Sequence, residues 1–238
     1  MRVLVVTAVP VERDAVTRAF GGTPETVALP GTELHRLGAF DVLAGGAGPA
    51  AAAAATAFAL ASGSSAPEPY GLVVSAGIGG AFTPLTPLGS LVVASDIVAA
   101  DLGADTPDGF LPVTALGFGR DRFASPPALV RKVAAAAGAA PGPVLTVSTV
   151  TGTAERAGAL LAAHPGALAE AMEGFGVAEA AARAEVPVME LRAVSNAVGP
   201  RDRDAWRIGD ALAALTDAFG KTASVLEGWN RHDDRHRS

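Results

Sequence analysis

The chain has no cysteine among its 238 residues, so disulfide frameworks, thiolate metal sites and cysteine nucleophiles are all excluded. Histidine is nearly as sparse. His35, His164, His232 and His236 each stand apart from any plausible partner, which leaves a serine-hydrolase triad or a histidine-metal cluster without support. Positive charge is in deficit: 18 Lys and Arg face 24 Asp and Glu, for a net charge of −6. Such a balance argues against nucleic acid or an anionic membrane surface as a main partner. Long hydrophobic runs are missing too, none approaching the roughly 18 apolar residues of a membrane span. The N-terminal run "MRVLVVTAVPV" is too short for a signal sequence, and Glu12, Arg13 and Asp14 follow at once. A soluble, cytoplasmic protein without membrane contact is expected.

What is present is apolar and small. Half the chain is hydrophobic and only 18% charged, enough to bury one large core. "RVLVVTA" (2–8) reads as a buried parallel strand, and Pro10 opens a helix. "FDVLAGGAG" (40–48) repeats the pattern, with Pro49 leading an Ala-rich helix to about Ser62. Further strands are expected at 70–82, running into a glycine loop, and at 88–98, 144–150 and 186–195. Helices are expected at 126–137, 153–163, 173–184 and 209–229. Strands alternating with helices predict one α/β domain over residues 1–229. Its central sheet is mostly parallel but mixed, is flanked by helices, and binds ligand at the strands' carboxyl ends. The segment 100–123 reads as an irregular excursion that could line or cover that site. The polar tail 230–238 is expected to be disordered.

Three local motifs mislead. Gly46-Ala47-Gly48-Pro49-Ala50-Ala51 satisfies G-x-G-x-x-A after a strand, but no acidic residue closes the next strand as a dinucleotide site requires. Gly220-Lys221-Thr222 mimics the end of a P-loop inside a helical pattern, with Leu215 where the first glycine belongs. Ser75 follows a strand, yet Val73 occupies the first glycine of a nucleophile elbow.

There remain polar residues at junctions between elements. Glu12 follows the first strand, Met172-Glu173 opens a helix, and Ser195-Asn196 ends the last strand. Singly, each has an ordinary reading: a first-turn acid favoured by the helix dipole, a core methionine, an asparagine terminating a strand. Together with "GAGPAAAA" (46–53), "SAGIGGAF" (75–82), "LGSLVVASDIV", "EAMEGFGVAEAA" and "LRAVSNAVG", they resemble the nucleoside phosphorylase and nucleosidase superfamily from Arg2 to about Gly228. Met-Glu followed some 20 residues later by "RAxS-[DN]" is the most specific mark. "STVTGTAERA" and "SNAVGPRDRDAW" are most similar to the futalosine hydrolase branch, which serves menaquinone synthesis.

The resemblance implies a metal-free and cofactor-free enzyme acting on a small nucleoside and assembled as a homo-oligomer. It places Glu173 on the ribose hydroxyls and Met172 against the sugar face. Glu12 would act as general base toward water, and Asn196 would meet the purine. Thr151-Gly152-Thr153 matches the base-contacting loop, and Gly77, Gly79 and Gly80 would let backbone approach the ligand. Arg201 or Arg203 would face the benzoate of futalosine, with solvated surface arginines as the plainer alternative. Superfamily phosphorylases recruit phosphate with an arginine in the loop that here reads Ser75-Ala76-Gly77-Ile78-Gly79-Gly80, so hydrolysis is expected. Adenine-cleaving relatives carry aspartate where Asn196 stands. An amide offers two donors to the N7 and O6 of hypoxanthine, although it can also serve adenine. A methylthioadenosine/S-adenosylhomocysteine or aminodeoxyfutalosine nucleosidase, a purine nucleoside phosphorylase, and a non-catalytic nucleoside sensor are the alternatives.

Overall fold

The computed structural model describes residues 1–63 and 68–230. The tail expected to be disordered lies, from 231 on, outside the described residues. In chain order the elements are β1 (Arg2–Thr7), α1 (Pro10–Arg18), β2 (Glu25–Leu29), β3 (Thr32–Leu37), β4 (Phe40–Ala44), α2 (Pro49–Gly63), β5 (Tyr70–Ala81) and β6 (Leu91–Ala99). There follow β7 (Gly103–Thr106), β8 (Gly109–Pro112), β9 (Arg122–Ala124), α3 (Pro127–Ala137), β10 (Ala140–Thr146), α4 (Ala154–Ala163), β11 (Ala169–Ala171), α5 (Gly174–Arg183), β12 (Val188–Ala197) and α6 (Ile208–Glu227). None of the helices among the described residues is long and apolar enough to cross a membrane.

The main sheet runs β11-β10-β6-β12-β5-β1-β4-β3-β2, with β9 added beside β6. β1 pairs in parallel with both β4 and β5, and β5 in parallel with β12. Strand alternation explains the two layers of core. Val3 and Val5 point to one face, where Leu129 and Val133 of α3 and Leu215 and Phe219 of α6 pack. Leu4 and Val6 point to the other, against Ala52 and Ala59 of α2 and Val177 and Ala181 of α5. A strand buried on both faces needs apolar residues at every position, which is why "VLVV" carries no polar break.

β5 departs from expectation. The stretch read as a glycine loop continues as strand through Ala81, because β12 holds one edge while β11 pairs antiparallel with the other. β11 also pairs in parallel with β10, so β5, β12, β6, β10 and β11 close into a ring at the carboxyl ends of β5 and β10. β10 begins earlier than expected, at Ala140. Its Pro141 and Pro143 precede the paired stretch with β11, which starts at Val144, so they sit where that side of the strand is an edge. The segment 100–123 is partly ordered as the β7–β8 hairpin.

Candidate active site

A cavity of about 190 Å³ opens at the carboxyl ends of β5 and β12 beside β11, and Ala8, Glu12, Ile78, Thr151, Met172 and Asn196 are among its walls. Gly79, Gly80, Glu170, Glu173 and Trp206 also border it. A larger concavity of about 800 Å³ lies alongside, sharing Ala8. Its charged residues, Arg13 and Glu33, are paired with each other at 2.8 Å, so the chemistry belongs to the smaller cavity.

Glu12 serves two purposes at once. Its Oε2 accepts from the N–H groups of Ala8 at 3.0 Å and Val9 at 3.3 Å, capping the orphan amides before α1. Its Oε1 accepts from Ile78 N–H at 2.9 Å, tying α1 to β5. Burial pushes its pKa above the usual carboxylate value, only partly offset by the nearby Arg192 and the Ile78 amide. A carboxylate with a raised pKa is suited to accept a proton near neutrality.

Glu173 precedes α5 and is also buried. Its Oε1 accepts from Gly48 N–H at 3.1 Å, and its Oε2 from Met172 N–H at 3.3 Å. This resolves the misleading glycine motif: the turn at Gly46–Gly48 presents an amide to a carboxylate of the chain itself. Gly46 has φ +92°, and a Cβ there would lie 2.9 Å from Ala51. Only glycine meets both conditions.

Behind the two carboxylates lies a pair that the sequence reading missed. β12 alternates, sending Met189, Leu191 and Ala193 into the core against α6, and Glu190 and Arg192 toward α5. Arg192 Nε donates to Glu190 Oε1 at 2.8 Å, and its Nη2 donates to Ser75 Oγ at 3.0 Å and lies 3.3 Å from Glu173 Oε2. Both residues are fully enclosed. Burial raises the pKa of Glu190 despite Arg192, and its Oε2 has no hydrogen-bond partner among the described residues. Burial works against the guanidinium charge as well, but Glu190, Glu173 and Glu12 together hold it firmly protonated. The signal was present as charged residues at i and i+2 within "VMELRAV", an unusual insertion in a buried strand.

Two glycines make room for this cluster. A Cβ on Gly77 would fall 2.6 Å from Glu12 Oε1 and 2.7 Å from Arg192 Nη1. A Cβ on Gly174 would collide with the Glu190 carboxylate.

The remaining expected residues divide clearly. Gly79 and Gly80 border the cavity, whereas the space beside Gly77 is filled by the charge cluster. Thr151 is a wall residue, but Gly152 is not, and Thr153 caps α4 by accepting from Arg156 N–H at 3.1 Å. Arg201 and Arg203 are exposed and stack over Trp206, 5.4 and 5.7 Å from its ring centroid, so they reach the rim through that residue. Asn196 Oδ1 accepts from Ser195 Oγ at 2.8 Å and its Nδ2 donates to Ala197 O at 2.9 Å. One of the two amide hydrogens is therefore engaged, not both free. No residue of the segment 100–123 is a wall of the cavity.

A mixed sheet closed on itself, with buried acids converging at its carboxyl ends, is the frame of a nucleoside-processing enzyme. The chain belongs to the phosphorylase superfamily, which it matches over residues 2–228. Within it the chain groups with the futalosine hydrolases. It is 66% identical to futalosine hydrolase of Streptomyces coelicolor, over 98% of this chain and 100% of that protein. It is 46% identical to futalosine hydrolase of Acidothermus cellulolyticus, over 91% of this chain and 88% of that one. Among solved structures, the fold is similar to a 5'-methylthioadenosine/S-adenosylhomocysteine nucleosidase from Neisseria meningitidis, with a TM-score of 0.79 at 20% identity, covering 94% of this chain and 99% of that one. A futalosine hydrolase mutant of Helicobacter pylori gives a TM-score of 0.78 at 20% identity, with the same coverage.

Proposed function

We propose that the chain hydrolyses the N-glycosidic bond of futalosine, releasing hypoxanthine and dehypoxanthine futalosine in the cytoplasm as a step of menaquinone synthesis. The observation that carries this reading is the convergence of Glu12 and Glu173 on one cavity, in a chain 66% identical to a futalosine hydrolase along its whole length.

Bond cleavage builds positive charge on the sugar and negative charge on the departing purine. Glu173, held by Gly48 and Arg192, accepts from the ribose hydroxyls, while Met172 covers the apolar sugar face. Glu12 orients a water beside the anomeric carbon and takes its proton. Asn196 donates its remaining amide hydrogen to the purine; reading N7 and O6 together would require release of Ala197 O. Thr151 stands at the base, and Arg201 or Arg203 at the benzoate end.

Phosphorolysis is disfavoured by the cavity itself. Among the described residues no lysine or arginine is one of its walls, and Arg192 is already occupied by two carboxylates. Purified enzyme should release hypoxanthine from futalosine at the same rate with or without phosphate, leaving a free reducing sugar. A sugar 1-phosphate among the products would overturn the assignment as a hydrolase.

Glu173→Gln should keep the fold and lower kcat/KM by at least about 10²-fold, equivalent to roughly 2.7 kcal/mol. A near wild-type rate would reduce Glu173 to a helix-end acid.

The chain assembles as a homo-oligomer in this reading. Val9 and Phe58 stand 39% and 48% exposed and border the larger concavity along with Ala47, Ala51 and Ala54 of the α2 region. An apolar hollow of that kind is a poor surface to leave in water. Analytical ultracentrifugation should find a dimer or larger species; sedimentation as a monomer at micromolar concentration would refute it.

A further inference from the structure

Glu170 is the one buried acid of the cavity wall to which the proposed hydrolysis assigns no task. It lies at the middle of β11 and is 4% exposed. Among the described residues Thr151 alone supplies hydrogen bonds to its carboxylate: Thr151 N–H donates to Oε1 at 2.9 Å, and the Thr151 hydroxyl donates to Oε2. No ion pair reaches it among the described residues. Each carboxylate oxygen has two lone pairs, so one remains on each after Thr151 is served. Burial raises the pKa of this carboxyl group and the charge of Arg156 offsets that only in part, so holding a carboxylate here is costly; anchoring a loop does not need one, since a glutamine could accept from the Thr151 N–H and donate to its hydroxyl.

The sheet register says where this acid faces. β11 and β12 flank the same strand, and Glu170 and Asn196 are both opposite Gly80 of β5. They are therefore two strand spacings apart, about 9–10 Å between backbones, with a residue lacking a side chain between them. Both border the cavity.

We propose that Glu170 determines which purine is accepted: its carboxylate receives the N1–H of a 6-oxopurine from the side opposite Asn196. This rests on the cavity being the purine site of the hydrolase reading. A 6-oxopurine carries a donor at N1 and an acceptor at position 6. A 6-aminopurine carries the reverse. Held by Ser195 and Ala197, the Asn196 amide keeps one hydrogen on Nδ2 and one lone pair on Oδ1, so it offers either position-6 group a partner without turning over. An ionised carboxylate only accepts. Facing an adenine N1 it sets lone pair against lone pair inside a closed wall, and a site built for a hydrogen bond rejects the analogue that cannot make it. Selection between the two bases thus falls to Glu170 rather than to Asn196.

The test compares kcat/KM on futalosine and on aminodeoxyfutalosine for the whole enzyme and for Glu170→Gln, whose amide can pair with either base. The expected result is a fall of at least about tenfold in the preference for futalosine, the aminopurine substrate gaining relative to the oxopurine one. Equal proportional loss on both substrates would show that Glu170 only anchors Thr151. Should the variant fail to fold, wild-type enzyme answers through binding of free bases. Hypoxanthine should bind about 10–100-fold more tightly than 1-deazahypoxanthine, which is isosteric but has C–H in place of N1–H, as expected for one hydrogen bond to a charged group. Equal affinity would overturn the proposal. The binding arm also separates the two readings: preference for hypoxanthine without futalosine cleavage would refute the hydrolase assignment and leave Glu170 as the base reader.

Discussion

Glu12→Gln should lower kcat by about 10²–10⁴-fold, the usual contribution of a positioned general base, or about 2.7–5.4 kcal/mol of barrier. The amide cannot take a proton from water. It also fits its surroundings badly, because both oxygens of the native side chain accept from backbone N–H groups, so the new NH₂ meets a donor on one side. Thermal melting should therefore be recorded with the rates, to separate a lost cap from lost chemistry. The pH profile gives a second readout. Burial raises the Glu12 pKa, so the wild-type acid limb of kcat/KM should lie above the ordinary glutamate range, with activity lost as pH falls through that raised value. In the variant this limb should vanish. A Glu12→Gln enzyme within tenfold of wild type, or one keeping the same limb, would remove Glu12 from the chemistry.

Arg192→Met should produce the largest loss of stability of any single change near the site. The substitution leaves Glu12, Glu173 and Glu190 enclosed with no counterion, and stripping one partner from a buried ion pair typically costs about 3–5 kcal/mol. For a chain of this size that corresponds to a drop in Tm of roughly 6–20 °C. The pH dependence has a definite sign. Arg192 is among the influences that lower the pKa of Glu12 and of Glu190, both of which burial already raises. Without it their folded values climb further above the unfolded ones. A group whose folded pKa is raised supports folding below its unfolded pKa, and that support is lost as pH rises through the folded value. The variant's deficit should hence be small near pH 4 and grow toward pH 8. A deficit independent of pH would mean that the guanidinium acts through packing alone.

The parts of the fold that the sequence disclosed were those set by unbroken local pattern. "VLVV" announced a strand buried on both faces, and Pro10, Pro49 and Pro127 stand at helix starts, where their missing N–H is harmless. The β2–β3 hairpin escaped because "ETVALPGTELHRL" lies at the sheet edge, half in water, where polar residues are tolerated on both faces. β11 escaped because three residues carry no periodicity, and the end of β5 because glycine argues against a strand until two neighbours supply its hydrogen bonds. Of the candidate site, Glu12, Met172, Glu173 and Asn196 were visible as polar or soft residues at junctions. Glu170, Glu190 and Arg192 were not. They lie inside strands; the charges in "VMELRAV" mark an anomaly, but what they and Glu170 face depends on which strand stands next to which, a property of the closed ring.

Gly174 and Glu190 are far apart along the chain yet share a single volume: the carboxylate occupies the space that a methyl group at 174 would fill. Neither position is free to drift by itself. A methyl group at 174 requires something shorter than glutamate at 190, and shortening 190 draws the acid back from Arg192 Nε or removes it. Across descendants of this sequence the two sites should accordingly change as a couple, with a side chain appearing at 174 only where that at 190 has shortened. Anyone grafting this active site onto a related scaffold would have to transplant the absent methyl group together with the acid.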